Sequence, residues 1–459
     1  MPPHDPAAPP LASTPAPAAA PAPAATASTA AAWPPPRQAW YAVFVLMVAY
    51  LFSYVDRQIL SMLVGPIRAD LHLSDTQVSL LHGLAFAVCY TLLGVWPIGK
   101  WADHGNRRNL IAGGVALWSV MTFLCGRAWS YGTLFLARIG VGIGESTMTP
   151  TAYSMLADYF PPERRGRALS ALGIGVYFGI GAAVMITGLV VQLVASTPSV
   201  TLPLIGETRS WQVPFIALGP PGLLVALWVL TMREPPRHGQ AAHAGSDFKA
   251  VASYVREHAG FYANLTFGIS LLTMLFNAVA FWVPAHLTRV HHFEPVRIAF
   301  TYGPLMLVFG SAGIVLGGIL ADRLRAQGIK DAELRVGVWG ALAMLPLVLA
   351  VFLAQDGTLM LVLLAPTLLL SSFPFGAASA AIQLVTPNMY RARASALYLL
   401  VINLTGIGFG ATAASLVSDY VLHDDQRIGQ GVIAVAVVAL PLAALLLRTG
   451  MTRYRAMQP

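Results

Sequence analysis

Gly99-Lys-Trp-Ala-Asp103-His-Gly-Asn-Arg107-Arg108 and Gly318-Ile-Leu-Ala-Asp322-Arg323 lie 219 residues apart, with Gly and Asp at the same four-residue spacing in both. A second pair keeps nearly the same interval. Arg165-Gly-Arg167-Ala-Leu-Ser-Ala-Leu and Arg391-Ala-Arg393-Ala-Ser-Ala-Leu are 226 residues apart. Two repeats in register mark a chain made of two copies of one unit, and each copy sets its motif between long apolar stretches.

Those stretches decide the class. Of 459 residues, 56% are hydrophobic and 10% charged, where a soluble domain carries about 25% charged residues. Water does not solvate a surface that poor in charge, so the exterior faces something apolar. A cytosolic enzyme, a disordered regulator and a nucleic-acid binder are excluded. A bilayer core about 30 Å thick takes roughly 20 apolar residues per helix. Twelve such stretches can be marked, at about 38–63, 76–98, 110–130, 132–158, 168–195 and 212–232, then 263–288, 297–320, 334–354, 358–385, 394–420 and 430–447. The expected fold is therefore all-α and polytopic, with twelve transmembrane helices in two pseudo-symmetric six-helix halves, 37–232 and 263–459. Residues 1–36, rich in Pro and Ala, read as a disordered tail, and 233–262 as a polar linker.

Placing the N-terminus in the cytoplasm puts 20 of the 28 Lys and Arg on the inner side and six on the outer side. The remaining two, Arg57 and Arg138, fall within spans. This bias predicts cytoplasmic termini in a cell (inner) membrane, and the net charge of +8 is topology rather than nucleic-acid affinity. Cys89 and Cys125 both lie in apolar stretches, neither a disulfide framework nor a metal set. No phosphate-binding Gly-Lys-Ser/Thr loop, zinc motif or nucleophile–base set is present, so neither an enzyme nor a cofactor is expected. Duplicated six-helix halves are an architecture of secondary transporters, with the site near mid-membrane at their interface. One duplicated chain is expected to work as a monomer.

The stretch from Gly99 to Arg108 resembles the loop signature of the major facilitator superfamily, Gly-x-x-x-Asp-Arg/Lys-x-Gly-Arg-Arg/Lys. Gly99, Asp103, Arg107 and Arg108 match, while His104 and Asn106 depart from it. Arg138-x-x-x-Gly142-x-Gly144 is similar to the superfamily's fourth-span signature. The chain further resembles the spinster branch, in its bacterial form, through Asp56-Arg57 in the first span, Asn106-Arg-Arg in the loop and Gly142-x-Gly-Glu145 in the fourth span. This resemblance implies alternating access and an amphipathic lipid substrate such as a lysophospholipid or sphingolipid. The alternative is a small organic anion such as a sugar acid, since Arg57 and Arg138 suit a carboxylate equally well.

Charged groups inside spans are costly and functional by default. Asp56 and Glu145 are the acids well within spans, balanced by Arg57 and Arg138. Arg138 and Glu145 are seven residues apart, about 10.5 Å along one helix face. Asp56 and Glu145 are the expected proton-coupling acids, because moving an arginine toward or away from a buried carboxylate changes its proton affinity. Arg138 is the expected anchor for an anionic substrate group, with Arg57 beside it. Tyr177, Asn277, Trp282 and Asn403 are weaker candidates for substrate contact, as are His82 and Tyr90. Pro284 is expected to interrupt the seventh span. Asp103, Arg107, Arg108 and the duplicated Asp322 are the expected gate, a charge cluster holding the halves together on the cytoplasmic side. The run Gly140-Val-Gly142-Ile-Gly144 imitates a dinucleotide loop, but it lies inside a span with no preceding strand. Close helix packing explains it better.

Overall fold

The computed structural model describes residues 33–95, 97–194, 197–203, 205–237, 248–387 and 390–458. Of the tail expected at 1–36, residues 1–32 lie outside the described residues.

The chain begins with the long helix α1 (Pro36–Leu71), which starts at a proline in its first turn. The second crossing comprises α2 (Asp75–His82), α3 (Leu84–Val95) and α4 (Pro97–His104), with α2 and α3 parted at Gly83. Ser74 caps α2 in a reciprocal box with Gln77, and Asn106 caps the third crossing, α5 (Arg107–Cys125). The fourth is α6 (Tyr131–Glu145) continued by α7 (Met148–Tyr159), and the fifth is α8 (Pro162–Val194). A short antiparallel hairpin, β1 (Ser199–Leu202) and β2 (Gly206–Arg209), precedes α9 (Val213–Val229). Its turn needs Gly206, whose φ of +85° is open to glycine and strained for other residues.

The second set opens with a linker helix, α10 (Phe248–Glu257), and continues with α11 (Ala259–Arg289). Next come α12 (Pro295–Leu305) with α13 (Ser311–Ala326), α14 (Ala332–Leu353), α15 (Gly357–Val385), α16 (Arg391–Ile402) with α17 (Gly408–Val417), and α18 (Ile428–Ala456). The α12/α13 and α16/α17 crossings each contain a π-turn, at Met306–Gly310 and Asn403–Ile407.

Eleven segments among the described residues are long and apolar enough to cross a membrane. The fourth stretch falls short because it is broken: α6 has 15 residues and α7 has 12, parted at Ser146–Thr147. Joined, they make the twelfth crossing. The uninterrupted fourth span expected from hydropathy is thus corrected to an interrupted one, and the break follows directly on Glu145. The linker is likewise not wholly irregular, since it holds α10. Pro284, expected to interrupt its span, lies inside the continuous helix α11. The hairpin had no legible signal.

Every crossing buries one face against its neighbours and leaves apolar residues outward. Leu193, Leu224, Val421 and Val438 are 67–82% exposed, a surface stable only against hydrocarbon. The chain is a multi-pass membrane protein. The start of α1, the linker and the chain's C-terminal residues share one end of the bundle, here the terminal end. The opposite end is the distal end.

Candidate functional site

The in-span charges meet where α1, α3 and α6 come together. Glu145, at the last turn of α6, is 1% exposed. Its Oε2 accepts from Arg57 Nη2 at 2.6 Å, Arg57 Nε at 2.9 Å and Ser53 Oγ at 2.7 Å. Its Oε1 is buried and meets no donor among the described residues. The partner of Glu145 is therefore Arg57 on the neighbouring helix, not Arg138 on its own. Seven residues of separation put Arg138 and Glu145 on one face but two turns apart, farther than the side chains close here.

Arg57 is also enclosed by rings. Its guanidinium carbon lies 4.3 Å from the Phe86 centroid, 5.1 Å from Tyr54 and 5.4 Å from Tyr90. Phe86 and Tyr90 stack on each other, and the Tyr90 hydroxyl bonds Thr149 at 2.8 Å. Aromatic faces stabilise a guanidinium at these distances.

Arg138 is fully buried behind this group. Its bonds are long: Nε to the Leu81 carbonyl and Nη1 to the Asp56 carbonyl, both 3.4 Å, while Nη2 has no partner. Its charge also acts on the buried Asp56 carboxyl. Arg138, the expected substrate anchor, borders Asp56 and the backbone of α2 and is not among the cavity-lining residues.

A central cavity of about 50 Å³ separates the first and second sets of helices. Polar groups reach it from Arg57, Gln58, His82 and Asn277. The rest of the wall is Tyr54, Phe86, Ile180, Phe276, Ala280, Phe281, Met306 and Ile407. Met306 and Ile407 come from the two π-turns, and such turns often mark functional sites. His82 lies against Phe281 across the interface at 4.4 Å, with Nδ1 unpaired. Asn277 reaches the cavity but donates to its own helix at Thr273, 2.9 Å.

The other weak candidates divide. Trp282 is fully buried and donates to the Ala411 carbonyl at 2.8 Å, so it ties α11 to α17 rather than facing the cavity. Asn403 opens a π-turn and is not among the cavity-lining residues. The Tyr177 side chain lies outside the described residues. Ser53, Tyr54 and Gln58 escaped sequence reading. Their signal was only position, with Ser53 and Tyr54 about one turn before Arg57 and Gln58 directly after it.

Two arginines of the expected gate make their described contacts within the first set of helices. Arg107 is 1% exposed and binds Asp158 at 2.5 Å and Glu234 at 2.7 Å. Arg108 donates its backbone N–H to Glu234 Oε2 at 3.0 Å and Nη1 to the Met232 carbonyl at 3.2 Å. These contacts staple α5 to α7 and to the segment after α9. They do not cross to the second set of helices. The Asp103 side chain lies outside the described residues, and Asp322 is exposed.

Polar contacts that do join the two sets gather at the distal end. Asp75, wholly buried, accepts from Arg289 Nη1 and Nη2 at 2.6 and 2.7 Å and pairs with Arg68 at 3.2 Å. Arg68 also donates to Asp425 at 2.7 Å, and the Thr76 N–H to Asp419 at 2.7 Å. One layer inward, Ser79 meets Ser415 at 2.9 Å. Gly83 permits this closeness, because a Cβ there would sit 2.5 Å from the Gly408 carbonyl. At this end α2 is closed against α11 and α17.

The profile of the Major Facilitator Superfamily matches residues 46–415. The chain belongs to that superfamily. An "MFS-type efflux pump" of Mycolicibacterium smegmatis is 28% identical over 422 residues, covering 92% of this chain and 94% of that one. A "Probable L-galactonate transporter" of Escherichia coli is 26% identical over 316 residues, 64% of each chain. Among solved structures, a bacterial homolog of the human lysosomal transporter spinster, inward-facing and unoccupied, superposes with a TM-score of 0.77 at 25% identity. That match covers 92% of this chain and 99% of the other. The superfamily assignment and this likeness make the chain a membrane transporter of spinster type.

Proposed function

We propose that the protein is a proton-coupled carrier of an amphipathic anion, with a lysophospholipid or sphingolipid as the substrate class, working by alternating access in a cell (inner) membrane with both termini cytoplasmic. The observation that carries this reading is one caged guanidinium, Arg57, in a cavity whose remaining wall is mostly aromatic and aliphatic. Such a site attracts one negative group and gives the rest of the substrate an apolar surface. A sugar acid needs many more hydrogen-bonding groups than Gln58, His82 and Asn277 supply. The sugar-acid reading is kept as the second one, because a relative carries an L-galactonate name.

In this reading, residues 37–232 and 263–459 are two rocking units joined by the linker 233–262. Asp75, Arg289, Arg68 and Asp425 form the outer seal of the present inward-facing state. Glu145 and Asp56 exchange the proton. A substrate anion competes with Glu145 for Arg57, and the carboxylate so released takes a proton at its unpaired Oε1 side. Neither acid can stay charged and unpartnered in a low-dielectric site without large cost, so anion arrival and proton uptake are linked. The working unit is a monomer in contact with bilayer lipid.

Proton flux in proteoliposomes tests it, using an internal pH dye with wild type and Asp56→Asn. Flux on adding a lysophospholipid, absent with a hexuronate and lost in the variant, is the expected result. Flux with the hexuronate alone moves the assignment to the organic-anion reading. Substrate movement without proton flux overturns the coupling.

A further inference from the structure

A second cavity, of about 320 Å³, lies at the terminal end between the linker helix α10, the start of α11 and the start of α16. It shares no residue with the central cavity. Its wall is Ala252, Val255, Ala263, Phe267, Leu397 and Val401, with further small and aromatic residues between them. The Tyr262 hydroxyl at its edge is already bonded to Thr386 at 2.7 Å, so that group makes no demand on an occupant. The groove runs from Ala259 to Phe267 along α11, about 12 Å at the helical rise of about 1.5 Å per residue. Phe267 and Leu397, on its outward side, are 51% and 42% exposed. The groove is therefore open on that side.

Its mouth is charged. Arg256, the last basic residue of α10, lines both this groove and an adjoining hollow of about 450 Å³ that also holds Arg453, Glu257 and His258. Arg256 and Arg453 are exposed, and the Arg453 guanidinium lies so close over Gly260 that a Cβ there would collide with it. The two arginines outweigh Glu257 by one positive charge. Apolar depth below a cationic mouth, at the level of the membrane surface, is complementary to one class of molecule.

We propose that this groove is a binding site for an anionic phospholipid, with one acyl chain laid between α10, α11 and α16 and the phosphate held by Arg256 and Arg453. Apolar walls left uncovered in such a groove are costly in water, and a bilayer supplies a chain to cover them. The bound lipid joins the linker helix to the second set of helices, so it acts as a structural ligand separate from the transported substrate.

Native mass spectrometry of the full chain in mild detergent tests this, with phosphatidylglycerol, phosphatidylcholine and inorganic phosphate as probes. Wild type should retain one phosphatidylglycerol in preference to phosphatidylcholine. Arg256→Gln with Arg453→Gln should weaken phosphatidylglycerol retention by about fivefold or more and erase the preference, in line with the usual worth of a basic residue at an anionic surface. Ala263→Trp, which fills the groove, should lower retention of both lipids. Val401→Trp repeats that test from the other wall should Ala263→Trp fail to fold. Unchanged retention in a folded groove-filling variant overturns the proposal. Displacement of phosphatidylglycerol by inorganic phosphate alone also overturns it, because the site would then hold phosphate and not lipid. The readout does not depend on transport, so failure of the carrier assignment leaves it standing.

Discussion

Glu145 makes one oxygen do three jobs while the other does none, and that asymmetry defines its chemistry. Oε2 is held by Arg57 and Ser53, whereas Oε1 is buried without a donor. Glu145→Gln keeps an acceptor for Ser53 and Arg57 but cannot take up a proton. The variant should fold, bind substrate and lose the pH dependence of transport, measured as initial uptake rate from pH 5 to 8. An unchanged pH profile would remove Glu145 from the coupling scheme. Trp282 separates structural from substrate roles at the same scale. Its indole N–H donates to the buried Ala411 carbonyl, which also accepts from Ser415, so Trp282→Phe loses one buried hydrogen bond at a cost of about 0.5–1.5 kcal/mol. Thermal unfolding in detergent should shift downward while substrate affinity stays put.

Among elements, the distal contacts of α2 with α11, α17 and the turn before α18 hold the present state. Asp75 is shared by Arg68 from one side and Arg289 from the other, so one carboxylate closes the seam between the two sets of helices. Asp75→Asn leaves two arginines facing each other without the charge between them, and the seal should loosen. Weakening the closed state by about 1.4 kcal/mol raises the open population tenfold. Ser415→Cys, placed in a chain with Cys89 and Cys125 replaced, reports it: thiol labelling from the distal side should speed up about tenfold when Asp75→Asn is added. The fourth crossing illustrates what patterning reveals at this scale. Its small residues were legible as a packing face, and Gly142 and Gly144 do lie against the Phe86 carbonyl and the Gly114 carbonyl at what would be 2.9 and 2.7 Å from a Cβ. Its break after Glu145 had a signal that hydropathy averages away: Pro150 has no N–H for the Ser146 carbonyl, and its ring crowds that carbonyl.

Over the whole molecule, the first set of helices is braced at its terminal end by the buried Arg107. Removing one member of a buried charged cluster usually costs about 3–5 kcal/mol. Arg107→Ala takes one guanidinium from Asp158 and from Glu234 and should lower the unfolding midpoint accordingly. Because these contacts stay within the first set, the same variant should leave Ser415→Cys labelling at the distal end unchanged. A change there would mean that the loop arginines govern opening after all, as the loop signature suggested.

Composition, hydropathy and the repeated Gly-x-x-x-Asp motif were enough for the class, the twelve crossings and the duplicated plan, because each rests on quantities summed along the chain. The four in-span charges were legible for the same reason: in an apolar stretch a single charge is conspicuous. Their pairing was not. Whether Glu145 finds Arg57 or Arg138 depends on how α1 rotates against α6, and whether Arg107 reaches across or within its own half depends on where α7 and the segment after α9 end. Those are distances between segments far apart in sequence, and helical periodicity carries no information about them. The distal seal was hidden likewise, since Asp75, Arg289 and Asp425 each look like ordinary loop-end charges until packing removes the water between them.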